Sequence, residues 1–129
     1  MRAELNYLRI APRKVRLAAD PARNKPVSEA ISILKFSPKK GARHILKLLN
    51  SAVSSARKNF SKEPDNLYIS KLTVNEGPVF KRYSPRARGM AAMIRKKTSH
   101  VSITLSELPA KKPSSRAHAE RLKTLPVKN

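Results

Sequence analysis

Cysteine is missing from this chain, and with it go disulfides, thiolate nucleophiles and thiolate metal sites. Tryptophan is also absent, aromatic residues make up 5% of the total, and no apolar run reaches the ~18 residues of a membrane-spanning helix, so no membrane partner is expected. The three glycines, Gly41, Gly77 and Gly89, are too scattered for a glycine-rich phosphate loop. The opening residues, MRAELNYLRIAPRK, lack the apolar run and cleavage pattern of a secretory signal, which points to an interior compartment. Acids are scarce, 8 against 29 Lys and Arg.

That imbalance is the first positive feature. A formal charge of +21 on 129 residues lies far outside the magnitude of about 2–8 that keeps a small domain soluble. The isolated chain repels itself, and a polyanion, above all a nucleic acid, is the economical neutraliser. Catalysis is not expected. His44, His100 and His118 fall in different elements, and Asp20, Asp65 and Glu76 read as caps or ion-pair partners rather than general acids. No catalytic, metal or cofactor site is therefore assigned.

A chain of this length supports one core. Hydrophobic spacing predicts a short strand over Glu4–Ile10, then a helix opened by Pro12 and running from Arg13 to about Ala22, kinked or ended near Asp20 by Pro21. A short helix follows over Ser28–Leu34. A long one starts at Ser37 and Pro38 and reaches about Asn59, with Ala42, Ile45, Leu46, Leu49, Ala52, Val53 and Ala56 on its inner face. Its outer face carries Lys40, Arg43 and Lys47, as the first helix carries Arg13, Lys14 and Arg16. Leu67–Glu76 reads as a strand with Tyr68, Leu72 and Val74 on one face and Leu67, Ile69 and Thr73 on the other. Ser99–Glu107 alternates cleanly through Val101, Ile103 and Leu105. The expectation is an α+β fold: a small antiparallel sheet of about three strands packed against three helices.

Between the two clear strands lie roughly twenty residues, too many for a structureless loop in a compact domain. They are expected to continue the strands outward as a protruding β-hairpin arm, about residues 77–97, reaching roughly 33 Å if each strand adds about 10 residues. From Val79 to Lys97 the arm has no acid, and its cations are Lys81, Arg82, Arg86, Arg88, Arg95, Lys96 and Lys97. Gly89 permits a tight reversal; Met90, Ala91 and Ala92 make a slim apolar tip. Tyr83 is either a stacking platform for an RNA base or packs across the ribbon. A solvated basic loop is the plainer alternative, but a loop needing only solubility has no reason to exclude acids. Residues 109–129, with three prolines and six cations against one acid, read as a basic extension, disordered when free. Charge spread over helices, arm and extension suits an irregular RNA better than a single duplex groove, with an architectural DNA-binding protein as the alternative.

Several separated stretches resemble one family. NEGPVFKRYSPRARGMAAMIRKKTSHVSITLSE, APRKVRLAAD, SILKFSPKKGARHILKLLNSAVSSARKNF and DNLYISKLTVNEGP look like the motifs, in order and at matching intervals, of bacterial-type large ribosomal subunit protein twenty-two. The resemblance covers roughly Asn6 to Glu107. It implies a small α+β domain near the opening of the peptide exit tunnel, binding large-subunit rRNA, with a hairpin that runs inward and a tip that lines the tunnel beside an arm-bearing protein of the L4 type. It further implies a role in subunit assembly, neighbouring large-subunit proteins and the nascent peptide as partners, no homo-oligomer, and a cytoplasmic ribosome or else an organellar one. Under it, Lys81, Arg82, Arg86, Arg88, Arg95, Lys96 and Lys97 match the arm's rRNA contacts, Arg13, Lys14 and Arg16 the first-helix contacts, and Gly89, Met90 and Ala91 the tip. The chain departs from the family at DPARNK, Asp20–Lys25, where members commonly carry Arg-Gly-Lys; Asn24 is expected to take the left-handed conformation that glycine supplies.

Overall fold

The computed structural model describes residues Met1–Leu108, and the expected basic extension lies outside the described residues. Three strands, β1 (Arg2–Leu8), β2 (Leu67–Pro85) and β3 (Ala91–Glu107), form an antiparallel sheet in the order β1-β3-β2. Three α-helices pack on it, α1 (Pro12–Ala19), α2 (Val27–Phe36) and α3 (Lys40–Phe60). This is the α+β arrangement that the alternation of β3 called for: Val101, Ile103 and Leu105 are buried beneath the helices, and Ser102, Thr104 and Ser106 lie on the other face.

Local chemistry explains most boundaries. Pro12 opens α1 at a position where a missing N–H costs nothing. Pro21 is the reason α1 stops at Ala19 and tightens into a 3-10 turn over Asp20–Ala22. Asn24 then adopts φ 56°, the left-handed conformation anticipated there. Along α3, Ala42, Ile45, Leu49, Ala52 and Ala56 are buried as the spacing predicted, and Leu48 joins them. Its end is an αL closure: Ser61 sits at φ 50° and its N–H donates to the Arg57 carbonyl at 3.1 Å, while the Lys62 N–H reaches the Ala56 carbonyl at 3.3 Å.

Four details differ from the expectation. The first strand begins at Arg2 and ends at Leu8, because an irregularity between Leu5 and Leu8, with Tyr7 at φ 57°, turns Leu8 into the core. The second helix starts at Val27 and runs on to Phe36. Ser37 consequently closes α2 instead of capping α3; the residue before α3 is Lys39, whose carbonyl accepts the Ala42 N–H at 3.0 Å with no side-chain cap. The faces of β2 also differ. Leu67, Ile69, Leu72 and Val74 are all buried, because a bulge at Ser70 inserts one residue between Ile69 and Lys71 and inverts the parity of everything after it.

Candidate nucleic-acid interface

Beyond Glu76 the β2–β3 ladder leaves the domain. Glu76 pairs with Ser99 and Val79 with Lys97, so Gly77 and Pro78 stand opposite the single residue Thr98, a second bulge. Proline fits here because it has no N–H to offer the ladder. Its carbonyl accepts the buried Thr98 hydroxyl at 2.7 Å. Glycine fits for a different reason: a Cβ at position 77 would lie 2.5 Å from Thr98 Oγ1 and 2.9 Å from His100 Nε2. Next to it the buried Ser99 hydroxyl donates to the Ile10 carbonyl, tying the root of the arm to the β1–α1 connection. Bulges bend and twist a strand pair, so this clamp sets the direction in which the arm departs.

The arm is a regular two-stranded ladder from the Val79–Lys97 pair to the Pro85–Ala91 pair. Seven residues per strand give a paired length of about 24 Å, shorter than the anticipated reach because the strands close at Pro85. Directly opposite residues share a face. One face thus carries Lys81 opposite Arg95 and Tyr83 opposite Met93; the other carries Phe80 opposite Lys96 and Arg82 opposite Ile94. All eight side chains are exposed. Two cations directly opposed across a ladder destabilise it by about 0.2–1 kcal/mol, and no carboxylate lies on the arm to relieve them. At the tip Arg86 and Met90 close the turn through an N–H···O bond of 2.7 Å. Gly89 stands at φ 70°, as its sequence position suggested; Arg88 at φ 58° is a second left-handed residue that composition gave no hint of. Such a conformation costs a non-glycine residue about 1–2 kcal/mol.

On the domain, Arg13 and Lys14 of α1 and Lys40, Arg43 and Lys47 of α3 are exposed. Arg16 is exposed too, but its Nε is already engaged, donating to the Val74 carbonyl at 3.2 Å and holding α1 against β2. Lys14, Lys40 and Arg43 join the arm along a chain of three clefts, whereas Arg13, Arg16 and Lys47 line none of them. The first, about 420 Å³ at the arm root, lies between Arg9 and the arm residues Phe80, Arg82 and Arg95. The second, about 550 Å³, shares Arg9 and adds Lys14, Lys39 and Lys40; the third, about 600 Å³, shares Lys39 and Lys40 and adds Lys35 and Arg43. None of the three is lined by an acid.

The acids sit elsewhere. Glu4 pairs with Arg2, Asp20 with Arg23, Glu29 with Lys25 and Glu107 with Lys62, and Glu76 approaches Lys97 at 4.0 Å at the arm root. The fourth cleft, on the open face of the sheet, includes Glu4 and Glu76 beside Asn6 and His100. His100 is accounted for structurally: its Nδ1 accepts the Tyr7 N–H at 3.3 Å and its ring meets Tyr7 edge-on at 4.9 Å. Among the described residues no cluster of His, Asp and Glu is arranged to hold a metal ion.

The profile of a family described as Ribosomal protein L22p/L17e matches residues 3–106. The large ribosomal subunit protein uL22 of Caldicellulosiruptor saccharolyticus is 52% identical over 105 residues, 81% of this chain and 86% of its own. Proteins of the same name from Lactobacillus delbrueckii subsp. bulgaricus and Petrotoga mobilis are 51% and 49% identical, covering 83% and 86% of this chain and 92% and 74% of theirs. The chain belongs to the ribosomal protein L22p/L17e family. Membership makes it a structural ribosomal protein that binds rRNA and lines the peptide exit tunnel, not an enzyme. It also decides between RNA and DNA, which charge distribution had favoured without settling. Within this family member, Arg9, Lys35 and Lys39 share the cationic strip although nothing in the sequence singled them out. Arg9 reads in the sequence only as part of a strand pattern, and its cleft neighbours in the arm, from Phe80 to Lys97, are far from it along the chain.

Proposed function

We propose that the chain is a large-subunit component whose arm is wedged in folded rRNA, with Lys81, Arg82, Arg86, Arg88, Arg95, Lys96 and Lys97 neutralising phosphates along it. Arg13, Lys14, Arg16, Lys40, Arg43 and Lys47 extend the same contact over the helical side, and Tyr83 stacks on a base. Gly89, Met90, Ala91 and Ala92 are the part of the arm that meets the tunnel lumen and the nascent peptide. Residues 1–108 act as one rRNA-binding unit that joins early in subunit assembly, in a cytoplasmic ribosome.

The observation that carries this reading is the unrelieved pairing of Lys81 with Arg95 in an arm whose large apolar side chains, Val79, Phe80, Tyr83, Met90, Met93 and Ile94, are all exposed. A lone hairpin of this kind is marginal by itself; phosphates between the cations and bases or sugars against Tyr83, Met93 and Ile94 supply what is missing. The test is salt dependence. Replacing Arg82, Arg86, Arg88 and Arg95 together by Ala should flatten the slope of log affinity against log salt by about 3 to 4, because each phosphate contact contributes about 0.7–0.9. An unchanged slope contradicts the assignment. Deleting Met90–Ala92 should leave rRNA affinity nearly intact while changing how ribosomes respond to stalling peptides in the tunnel.

A further inference from the structure

Phe36 is, among the described residues, the most exposed large apolar side chain, at 83%. Its exposure follows from helix geometry. α2 buries Val27, Ala30 and Leu34, and a residue two past Leu34 lies about 200° further round the axis, on the side turned from the core. The ring therefore has nothing to do with folding. Its two sequence neighbours, Lys35 and Ser37, line the third cleft of the cationic strip, with Lys39, Lys40, Arg43 and His44, and no carboxylate lines it. Pro38 stiffens the connection on which the ring stands.

We propose that Phe36 is a stacking platform for one unpaired base of rRNA, with the flanking phosphates held by Lys35, Lys39, Lys40 and Arg43. The inference rests on the rRNA-binding reading and adds to it a contact of a different chemistry, on the helical side and away from the arm. A base offers a π-face to an aromatic ring whatever its identity, and its phosphates need cations beside that ring. A docked protein would meet four cations and no carboxylate in the cleft that Lys35 and Ser37 line, which leaves an anionic occupant as the fitting one. A membrane surface would need an apolar helix face, and that of α2 is already spent on the core.

The experiment uses the full chain and large-subunit rRNA transcribed in vitro, with affinity measured alongside base-specific chemical probing of unpaired nucleotides. Phe36→Ala should retain the wild-type circular dichroism and thermal transition. It should bind roughly 5- to 150-fold more weakly and expose one or two nucleotides that the wild type protects, leaving the arm's footprint in place. Phe36→Trp should restore both readouts and Phe36→Leu neither. The proposal is overturned if Phe36→Ala matches the wild type in affinity and footprint, or if Leu rescues as well as Trp, which marks plain apolar docking. A wild type that leaves no footprint at all brings down the rRNA reading itself, and this inference with it.

Discussion

On either side of the bulge at Gly77 and Pro78, the same two strands live in opposite environments. Below it, Leu67, Ile69, Leu72 and Val74 of β2 and Val101, Ile103 and Leu105 of β3 are buried under three helices, each large side chain stabilising the fold by about 1.5–3 kcal/mol. Above it, Val79, Phe80, Tyr83, Met93 and Ile94 remain in water, and Lys81 faces Arg95. Antiparallel pairing resumes on both sides of the bulge, so the ladder alone does not distinguish the two parts. What differs is where the free energy comes from: burial within the chain below the bulge and, under the proposed function, a partner outside the chain above it.

Four measurements sharpen or break that contrast. The largest effect is expected in hydrogen exchange of the free protein, where amides of β3 near Ile103 should exchange only with global unfolding, about 5–15 kcal/mol uphill. Those from Val79 to Ile94 should exchange almost unprotected, and equal strong protection in both halves would contradict the division. Next, Ile103→Ala should lower the free energy of unfolding by about 2–5 kcal/mol in urea titrations. Met93→Ala, equally apolar but exposed on the arm, should stay within about 0.5 kcal/mol of the wild type. A Met93 variant as damaged as the core variant means that the arm has a core of its own. Third, Gly77→Ala forces a Cβ into Thr98 and His100 and should cost about 1–3 kcal/mol. Because the clamp aims the arm, rRNA footprints at the tip should weaken more than those at the root. Uniform weakening instead makes Gly77 a stability residue only. Smallest is Lys81→Glu, which converts a like-charge pair into an attractive one and should stabilise the free protein by about 0.2–1 kcal/mol while weakening rRNA binding. Opposite signs in the two assays are the signature of a residue kept for its partner.

Legibility in the sequence followed the range of the interaction. The inner faces of α3 and β3, the stop imposed by Pro21, the turn at Gly89 and the acid-free arm could all be read locally, because each depends on neighbours within a turn or a pleat, whereas the left-handed Asn24 was legible only through the family resemblance. Ser37 misled as a helix cap because serine followed by proline suits a helix start as well as a connection, and only the packing of α2 through Phe36 decides between them. The faces of β2 misled because a single inserted residue at Ser70 reverses an alternating pattern without altering its composition. Among the interface residues, the arm's cations stood out by their run. Arg9 and Lys39 did not, since their significance lies in clefts shared with residues from other elements.

By itself, then, the order of side chains determined the charge and the partner it demands, the elements that could form, and the arm's inability to stand as a packed unit. Only the tertiary structure decided the position of the two bulges, the direction of the arm and the joining of Arg9, Lys39 and the arm root into one cationic strip. The reason is that propensity and periodicity are sums over near neighbours. Register and aim are collective outcomes of Thr98, Ser99, Pro78 and Ile10 meeting across the sheet, settled when the whole core closes.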